Sequence, residues 1–157
     1  YPMIVASMGA SAIILFFIPG SPLAQPWPFV GGQLLSALVG VACALNITET
    51  STAAAYAVGS SVLIMLLFRC LHPPAAATSL TPIMAGTSIT SLGYSFVLVP
   101  VAINVAILLI LAIIVNRWVM SREYPSALPE KIQRHQRHSV IEPSHHVGFS
   151  EQDLSSA

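Results

Sequence analysis

The chain alternates long apolar runs with short breaks that are rich in proline and small polar residues. A helix needs about 20 apolar residues to cross a bilayer, and shorter spans are tolerated where helices pack together or the bilayer thins. The pattern therefore predicts four membrane spans, at residues 3–18, 33–47, 52–71 and 96–116. The expected fold class is all-α: a polytopic transmembrane helix bundle of about four or five spans, with proline-broken or re-entrant segments.

Two breaks separate these spans. Residues 19–28 contain four prolines, and we expect them to exclude a regular helix because proline lacks an amide hydrogen and clashes with the preceding turn. Residues 73–94 are too uncharged for an aqueous loop and too interrupted for a clean span. Irregular backbone at membrane depth needs contact with protein or a water-filled cavity. A re-entrant segment or half-helix is expected there, with Pro74 suited to its first turn.

The first and third spans resemble each other and bear on the topology. Residues 9–17 align without gaps to residues 59–67, and a proline break follows each. This is either an internal repeat of the kind that flanks transporter binding sites or a chance similarity of apolar helices. Basic residues after the last span predict a cytoplasmic C-terminus. An even span count then puts both proline breaks on the opposite side, whereas a further crossing within residues 73–95 reverses the sides of Tyr1 and the first break.

Composition supports an integral membrane protein and divides the chain. The 157 residues are 55% hydrophobic and 8% charged, with a mean hydropathy of +0.77, whereas soluble domains carry about 25% charged residues. Ten of the twelve formal charges follow Asn116. We expect a transmembrane domain at 1–120, a polar linker at 121–147 and the start of a further folded region at 148–157. No charged stretch precedes the first span, so a secretory signal is not indicated, and we expect the sequence to begin inside a longer protein.

Three ionisable residues stand out within the apolar part. Up to Asn116 the charged residues are Glu49 and Arg69, and the histidine is His72. Arg69 could bind an oxyanion, extend to lipid headgroups or pair with Glu49. His72 could donate to an anion, relay a proton or fix the geometry of the turn. A lone histidine is poor support for a metal site, so none is predicted, and Glu49 is either an interfacial turn carboxylate or a coupling-ion ligand.

Uncharged polar residues accompany both breaks. They could line a polar pathway or satisfy loop and interhelical hydrogen bonds; they are Ser21, Gln25 and Gln33 around the first break and Thr78, Ser79 and Thr81 in the second. Ser36, Gly40 and Ala44 recur every four residues and predict close helix packing. No nucleophile elbow, phosphate-binding loop or pair of catalytic carboxylates is present. The sequence therefore predicts neither an enzyme nor a cofactor, and it gives no indication of nucleic-acid binding.

Several motifs occur in the order of a known family. They are Met8-Gly9-Ala10-Ser11-Ala12, Ser21-Pro22-Leu23-Ala24-Gln25-Pro26-Trp27, Gly31-Gly32, Ser36-Ala37-Leu38-Val39-Gly40 and Leu71-His72-Pro73-Pro74-Ala75. Over residues 3–125 the chain closely resembles the HPP family of integral membrane proteins, which is named for its His-Pro-Pro motif. The resemblance implies a compact bundle of transmembrane helices and structural roles for Pro22, Pro26, Gly31, Gly32, Pro73 and Pro74.

The resemblance also carries functional expectations. Plastid and cyanobacterial relatives are associated with nitrite transport. Some bacterial relatives carry a C-terminal pair of CBS domains, and residues 148–154 resemble the lead-in to one, so nucleotide binding is expected only through such a region. Gln33 stands where many relatives are expected to have histidine, and a titrating role at that position is not expected here.

These observations predict a transporter or channel for a small inorganic anion, with nitrite the leading candidate. Arg69 and His72 are expected to bind it, together with Ser21, Gln25, Gln33, Thr78, Ser79 and backbone amides freed by the prolines. The alternative is a non-transporting membrane sensor or scaffold that acts on a C-terminal regulatory domain. The expected setting is the lipid bilayer of a bacterial inner membrane, with a cytoplasmic C-terminus and a homo-oligomeric state.

Overall fold

The computed structural model describes residues 5–85 and 87–126, except for the side chains of residues 87 and 88. Every regular element in this part is helical, which confirms the all-α class. The predictions for residues 127–147 and 148–157 lie outside the described residues. The compact helical unit that is described ends at Ser126.

Six α-helices are described, together with several shorter turns. The α-helices are α1 (Ser7–Phe17), α2 (Pro26–Asn46), α3 (Thr50–Leu67), α4 (Ala75–Met84), α5 (Thr87–Thr90) and α6 (Ile103–Ile114). A 3-10 turn covers Pro22–Ala24, and further helical turns at Val97–Ala102 and Val115–Val119 flank α6. We call Val97–Val119 the final helix; it is interrupted near its start at Val99, whose φ of −132° and ψ of 110° are not helical. In the described part, α2, α3 and the final helix are long and apolar enough to cross a membrane, and α1 is shorter.

Several predicted helix boundaries shift. The first span, predicted at 3–18, has an eleven-residue helix. Helix α2 begins at Pro26, seven residues before the predicted start, so the expectation that residues 19–28 exclude a regular helix is wrong at Pro26 and Pro28. Both prolines lie in the first turn of α2, where backbone amides have no intrahelical partner.

Helix α3 ends at Leu67 rather than at the predicted residue 71 because its chain turns into a Schellman motif. The Cys70 amide donates to the Met65 carbonyl at 2.9 Å, and the Arg69 amide donates to the Leu66 carbonyl at 3.2 Å. Arg69 takes a φ of 52°, the left-handed conformation that this motif requires one residue beyond the helix.

The second break contains the expected half-helix. Helix α4 has ten residues, about 15 Å of helix, which is half the thickness of a hydrocarbon core. It packs against α2 and α3, as irregular membrane segments must. Pro74 immediately precedes the helix rather than occupying its first turn.

Two glycines of α2, which have no side chain beyond a hydrogen, allow the half-helix α4 to approach α2 closely. A Cβ on Gly40 would lie 2.2 Å from the Ser79 carbonyl oxygen, and one on Gly32 would lie 2.9 Å from the His72 Cβ. Both distances are shorter than side-chain contacts allow. Gly40 thus provides the close packing predicted from the spacing of small residues, and α2 and α4 run side by side in the same direction.

Side-chain bonds bring both proline breaks and the C-terminal segment to one end of the bundle, hereafter the proline end. Asn116 Nδ2 donates to the Leu15 carbonyl at 2.9 Å, and Arg122 Nη1 donates to the Phe16 carbonyl at 3.0 Å. Trp27 Nε1 donates to the Phe68 carbonyl at 3.2 Å. Helices α1, α3 and the final helix therefore end here, while α2 and α4 begin here.

This arrangement corrects the topology expected for an even span count. That topology placed both proline breaks opposite the C-terminus, whereas the contacts place all three at the same end. The physical reason is that residues 73–95 carry the chain back to the other end, which adds a passage between α3 and the final helix.

The Gly40 contact predicts the effect of a single methyl group. Gly40→Ala should lower the free energy of unfolding by about 1–3 kcal/mol, because the added Cβ meets backbone that cannot move aside. Gly9→Ala in α1 is the matched control, since a Cβ there meets nothing within 4 Å and alanine raises helix stability by about 0.5–1 kcal/mol. Thermal unfolding in detergent, followed by circular dichroism, measures both. Equal shifts in Tm for the two variants would contradict the close approach.

Glu49 gives a prediction about pH. It begins α3, and its carboxylate accepts from the Ser51 amide at 2.9 Å and the Thr52 amide at 2.5 Å. Hydrogen bonds, first that with the Thr52 side chain and then those with the two amides, lower the pKa of Glu49 to about 2. A lowered pKa means that this stabilisation is complete above the ordinary pKa of 4.5 and is lost as the pH falls towards 2. The Tm difference between wild type and either Glu49→Ala or Glu49→Gln should therefore be constant near neutral pH and shrink below pH 4.5. The Tm difference between Glu49→Gln and Glu49→Ala should not change over the same range, because neither side chain titrates.

Candidate functional site

Five polar side chains are buried together between α1, α2, the His-Pro-Pro segment and α4. We call them the polar chain: Ser7, Ser11, Gln33, His72 and Thr78. Each is at most 4% exposed. Uncharged polar groups in an apolar bundle are costly unless they are hydrogen-bonded, so their partners decide whether the arrangement is stable.

His72 anchors one end of the polar chain. Its Nδ1 lies 2.9 Å from the Leu23 carbonyl, and because a carbonyl only accepts, Nδ1 carries the hydrogen. In the neutral ring Nε2 is then the acceptor, and it lies 2.8 Å from the Ser11 hydroxyl. The Phe29 ring meets the imidazole edge-on, with ring centroids 5.3 Å apart.

The remaining bonds of the polar chain share one direction. Gln33 Nε2 donates to the Ser11 hydroxyl oxygen at 3.0 Å, and Thr78 donates to Gln33 Oε1. The Ser7 hydroxyl lies 2.5 Å from that of Thr78 and is left to donate to it. Each side chain therefore donates once, from Ser7 through to the Leu23 carbonyl, and such a continuous network fixes the relative positions of its members.

Each member reaches this position for a local reason. Ser7 and Ser11 are four residues apart and share one face of α1. The absence of a side chain at Gly32 admits the His72 Cβ, and Gln33 follows directly on α2. Thr78 lies one turn into α4, so the half-helix supplies the final member.

Ser21 and Gln25 lie outside the polar chain. The Ser21 hydroxyl accepts from the Leu23 amide at 3.2 Å. Gln25 Nε2 donates to the Ser126 hydroxyl at 2.8 Å, and the Ser126 amide donates to Gln25 Oε1 at 3.0 Å. The two predicted site residues therefore hold the turn and its contact with the C-terminal segment.

Arg69 is also separate from the polar chain. Its side chain is exposed and forms no hydrogen bond or ion pair with any residue that the structure describes. Pairing with Glu49 is wrong, because the two residues flank opposite ends of α3, about 27 Å apart along the axis. Arg69 and His72, three residues apart in sequence, thus face different surroundings.

The other groups predicted to bind the anion at the second break, the Ser79 hydroxyl and the first backbone amides of α4, form hydrogen bonds within the protein. The Ser79 hydroxyl donates to the Ala76 carbonyl at 2.7 Å. The first amides of α4 donate to carbonyls three residues back: Ala75 to His72, Ala76 to Pro73 and Ala77 to Pro74, at 2.9–3.1 Å. The double proline therefore does not leave these amides free.

Several residues of the site were missed at the level of sequence. Ser7 and Ser11 were not named as candidates, although their spacing of four on an apolar helix was a usable signal. Tyr124 is 2% exposed and donates to the Ala24 carbonyl at 2.8 Å. Burial raises the pKa of Tyr124 to about 12, so the phenol stays protonated. No local pattern indicates this contact, which joins residues 100 positions apart.

The helices and their apolar surfaces define an integral membrane protein of the all-helical class. Residues 1–125 match the family described as "HPP, transmembrane region", and the chain belongs to this family. It is 37% identical over 127 residues to one transmembrane protein of Dictyostelium discoideum and 36% identical over 126 residues to another. Each match covers 78% of this chain but 44% and 40% of the respective relative, so the chain spans less than half the length of these curated relatives. No solved structure matches it.

The polar chain predicts that removing the Thr78 hydroxyl destabilises the protein more than removing the Thr81 hydroxyl. Thr78→Val should lower the free energy of unfolding by about 1–3 kcal/mol, because Gln33 Oε1 loses its donor and Ser7 its acceptor. Thr81→Val is the control, since that partly exposed hydroxyl bonds only to the Ala77 carbonyl of its own helix and should change stability by less than about 0.5 kcal/mol. Chemical or thermal unfolding in detergent measures both, and similar losses would argue against a satisfied network.

Proposed function

We propose that this protein moves a small inorganic anion across a membrane, as a carrier or a channel, with nitrite the leading candidate. The polar chain is the observation that carries the proposal. It places hydroxyl, amide and imidazole groups inside helices whose outer faces are apolar. Polar groups at membrane depth are costly and mark solute pathways by default. An entering anion can recruit the hydroxyl and amide hydrogens that otherwise bond to one another.

The position of Arg69 supports a role as the attracting charge. It occupies a left-handed conformation in which glycine is favoured, and a side chain there costs roughly 1–2 kcal/mol. Arg69 precedes His72 by three residues at the proline end, and its side chain is exposed. Planar, multiple N–H donors suit an oxyanion such as nitrite. We assign Arg69 to the mouth of the pathway and His72 to its interior.

The charges at the ends support an orientation. Arg69, Arg117 and Arg122 are at the proline end, and Glu49 is at the other. Positively charged flanks tend to remain in the cytoplasm, which favours a cytoplasmic proline end and C-terminus. The bacterial inner membrane stays an expectation of the sequence.

A surface groove supports the expected homo-oligomer. It is lined by Ala55, Tyr56, Gly59, Ser60 and Leu63 on the outer face of α3. Small residues on such a face let neighbouring helices approach closely in a membrane.

A second candidate function is a membrane sensor or scaffold without transport. Tyr124 and Ser126 bond to Ala24 and Gln25, directly after Leu23, the hydrogen-bond acceptor of His72. Movement of the C-terminal segment can therefore shift the Leu23 carbonyl and change its hydrogen bond with the His72 imidazole. This candidate predicts no anion flux through folded protein. Both candidates are non-enzymatic.

Arg69 provides the test of transport. In proteoliposomes, Arg69→Gln should reduce nitrite uptake by at least about tenfold, the effect of losing an interaction worth 1.4 kcal/mol, and Arg69→Lys should restore part of it. Arg69→Gly should be equally slow yet more stable by about 1 kcal/mol, because glycine adopts the left-handed conformation without strain. Arg117→Gln, which removes an exposed charge from the same end, is the control. Uptake that survives in both Arg69→Gln and His72→Gln would remove this mechanism, and no uptake by folded wild type would favour the sensor.

A further inference from the structure

The described interior has no fixed charge that could balance an anion. Within residues 5–85 and 87–126 every formally charged side chain is exposed, and these are Glu49, Arg69, Arg117, Arg122 and Glu123. An unpaired ion is strongly disfavoured in a medium of low dielectric constant. Neutral donors soften this penalty without cancelling the charge. An anion that enters the polar chain therefore needs a positive charge that is not permanently there.

Within the described residues, His72 is the buried group that can acquire a positive charge. Imidazole becomes a cation by binding one proton at Nε2. The groups that face the ring are uncharged: Ser11 from α1, the Leu23 carbonyl from the 3-10 turn, and Phe29 and Gly32 from α2. Cys70 and Tyr124 are the buried titratable groups on adjoining segments, and neither can become positive.

Ser11 allows the polar chain to accommodate both protonation states. Its hydroxyl oxygen lies 2.8 Å from His72 Nε2 and 3.0 Å from the Ser7 carbonyl, yet it has a single hydrogen. With neutral His72 that hydrogen points to Nε2. With protonated His72, Nε2–H donates to the Ser11 oxygen and the hydroxyl hydrogen turns to the Ser7 carbonyl. Gln33 donates to the same oxygen in both states, so no heavy atom has to move.

We infer that the anion crosses together with a proton held on His72 Nε2, so that the transported unit is electrically neutral. This inference rests on the transport function proposed above. On the entry side a proton from water binds Nε2 as the anion enters, and on the exit side both leave and His72 returns to the neutral form. The Nδ1 hydrogen stays on the Leu23 carbonyl throughout. The substrate class is a small monovalent anion that moves one-for-one with a proton.

The one-for-one coupling of anion and proton can be tested with the wild-type protein. Nitrite uptake is measured in proteoliposomes with the uptake of protein-free vesicles subtracted, under two separate driving forces. A gradient of about one pH unit, inside alkaline, should drive accumulation up to about tenfold. A potassium–valinomycin potential of about 100 mV, inside positive and without a pH gradient, should leave the initial rate unchanged.

An uncoupled anion pathway gives the opposite result. The potential alone would then drive accumulation of about fifty-fold, and the pH gradient would have no effect; this result overturns the inference and leaves the proposed function standing. Absence of uptake under both driving forces overturns the proposed function, and the inference with it.

A pair of serine variants tests the role of the hydroxyl. Ser11→Ala leaves the Nε2–H of protonated His72 facing a methyl group, so pH-driven uptake should fall at least tenfold, and Ser11→Thr should restore it. Ser61→Ala is the matched control, since Ser61 is also fully buried on a helix and its hydroxyl has no partner among the described residues; uptake should stay within twofold. A folded Ser11→Ala protein with wild-type pH-driven uptake contradicts the role of Ser11.

Discussion

Buried polar groups in an apolar bundle are costly unless they find partners inside the protein, and the largest group of them organises the described structure. Ser7, Ser11, Gln33, His72 and Thr78 form one continuous series of hydrogen bonds that ends on the Leu23 carbonyl. The series joins α1, α2, α4 and the 3-10 turn. Because a half-helix of ten residues cannot satisfy or shield itself in a membrane, α4 depends on these bonds and on its glycine contacts with α2.

The proline end combines three requirements in one place. Prolines start α2 and precede α4 where their missing amides are harmless, and the Schellman turn at Arg69 stops α3. The last carbonyls of α1 have no intrahelical donors, and Asn116 and Arg122 supply them. Tyr124 then bonds to the turn that holds His72. The entrance of the proposed pathway and the exit of the C-terminal segment therefore share one surface.

Much of the architecture was predictable because it depends on local hydropathy and on proline chemistry. Three long apolar helices and a half-helix after the double proline follow from runs of apolar residues and from the restrictions on proline. Helix ends were less predictable. Pro26 and Pro28 look like helix breakers until it is known that a helix begins there, and the end of α3 depends on the left-handed backbone of Arg69.

The residue types of the site could be predicted from the sequence, but the hydrogen bonds between its members mostly could not. Gln33, His72 and Thr78 were identified because polar residues in an apolar sequence are conspicuous, whereas Ser7 and Ser11 resemble ordinary small helix residues. Ser21, Gln25 and Arg69 lie near the same breaks in sequence but are directed elsewhere by their local backbone. At a turn, side chains that are close in sequence can point in different directions, because the backbone reverses within a few residues.

The sequence by itself determined that this is a membrane protein, that proline-containing segments separate its helices, and that His72 is the histidine of its apolar part, since hydropathy and residue identity are local properties. The tertiary structure alone decided which polar groups meet, in which direction they donate, and that both proline breaks and the C-terminal segment share one end. Those bonds link residues 22 to 106 positions apart. Their existence depends on how closely helices pack, which Gly32 and Gly40 set through contacts that no local pattern contains.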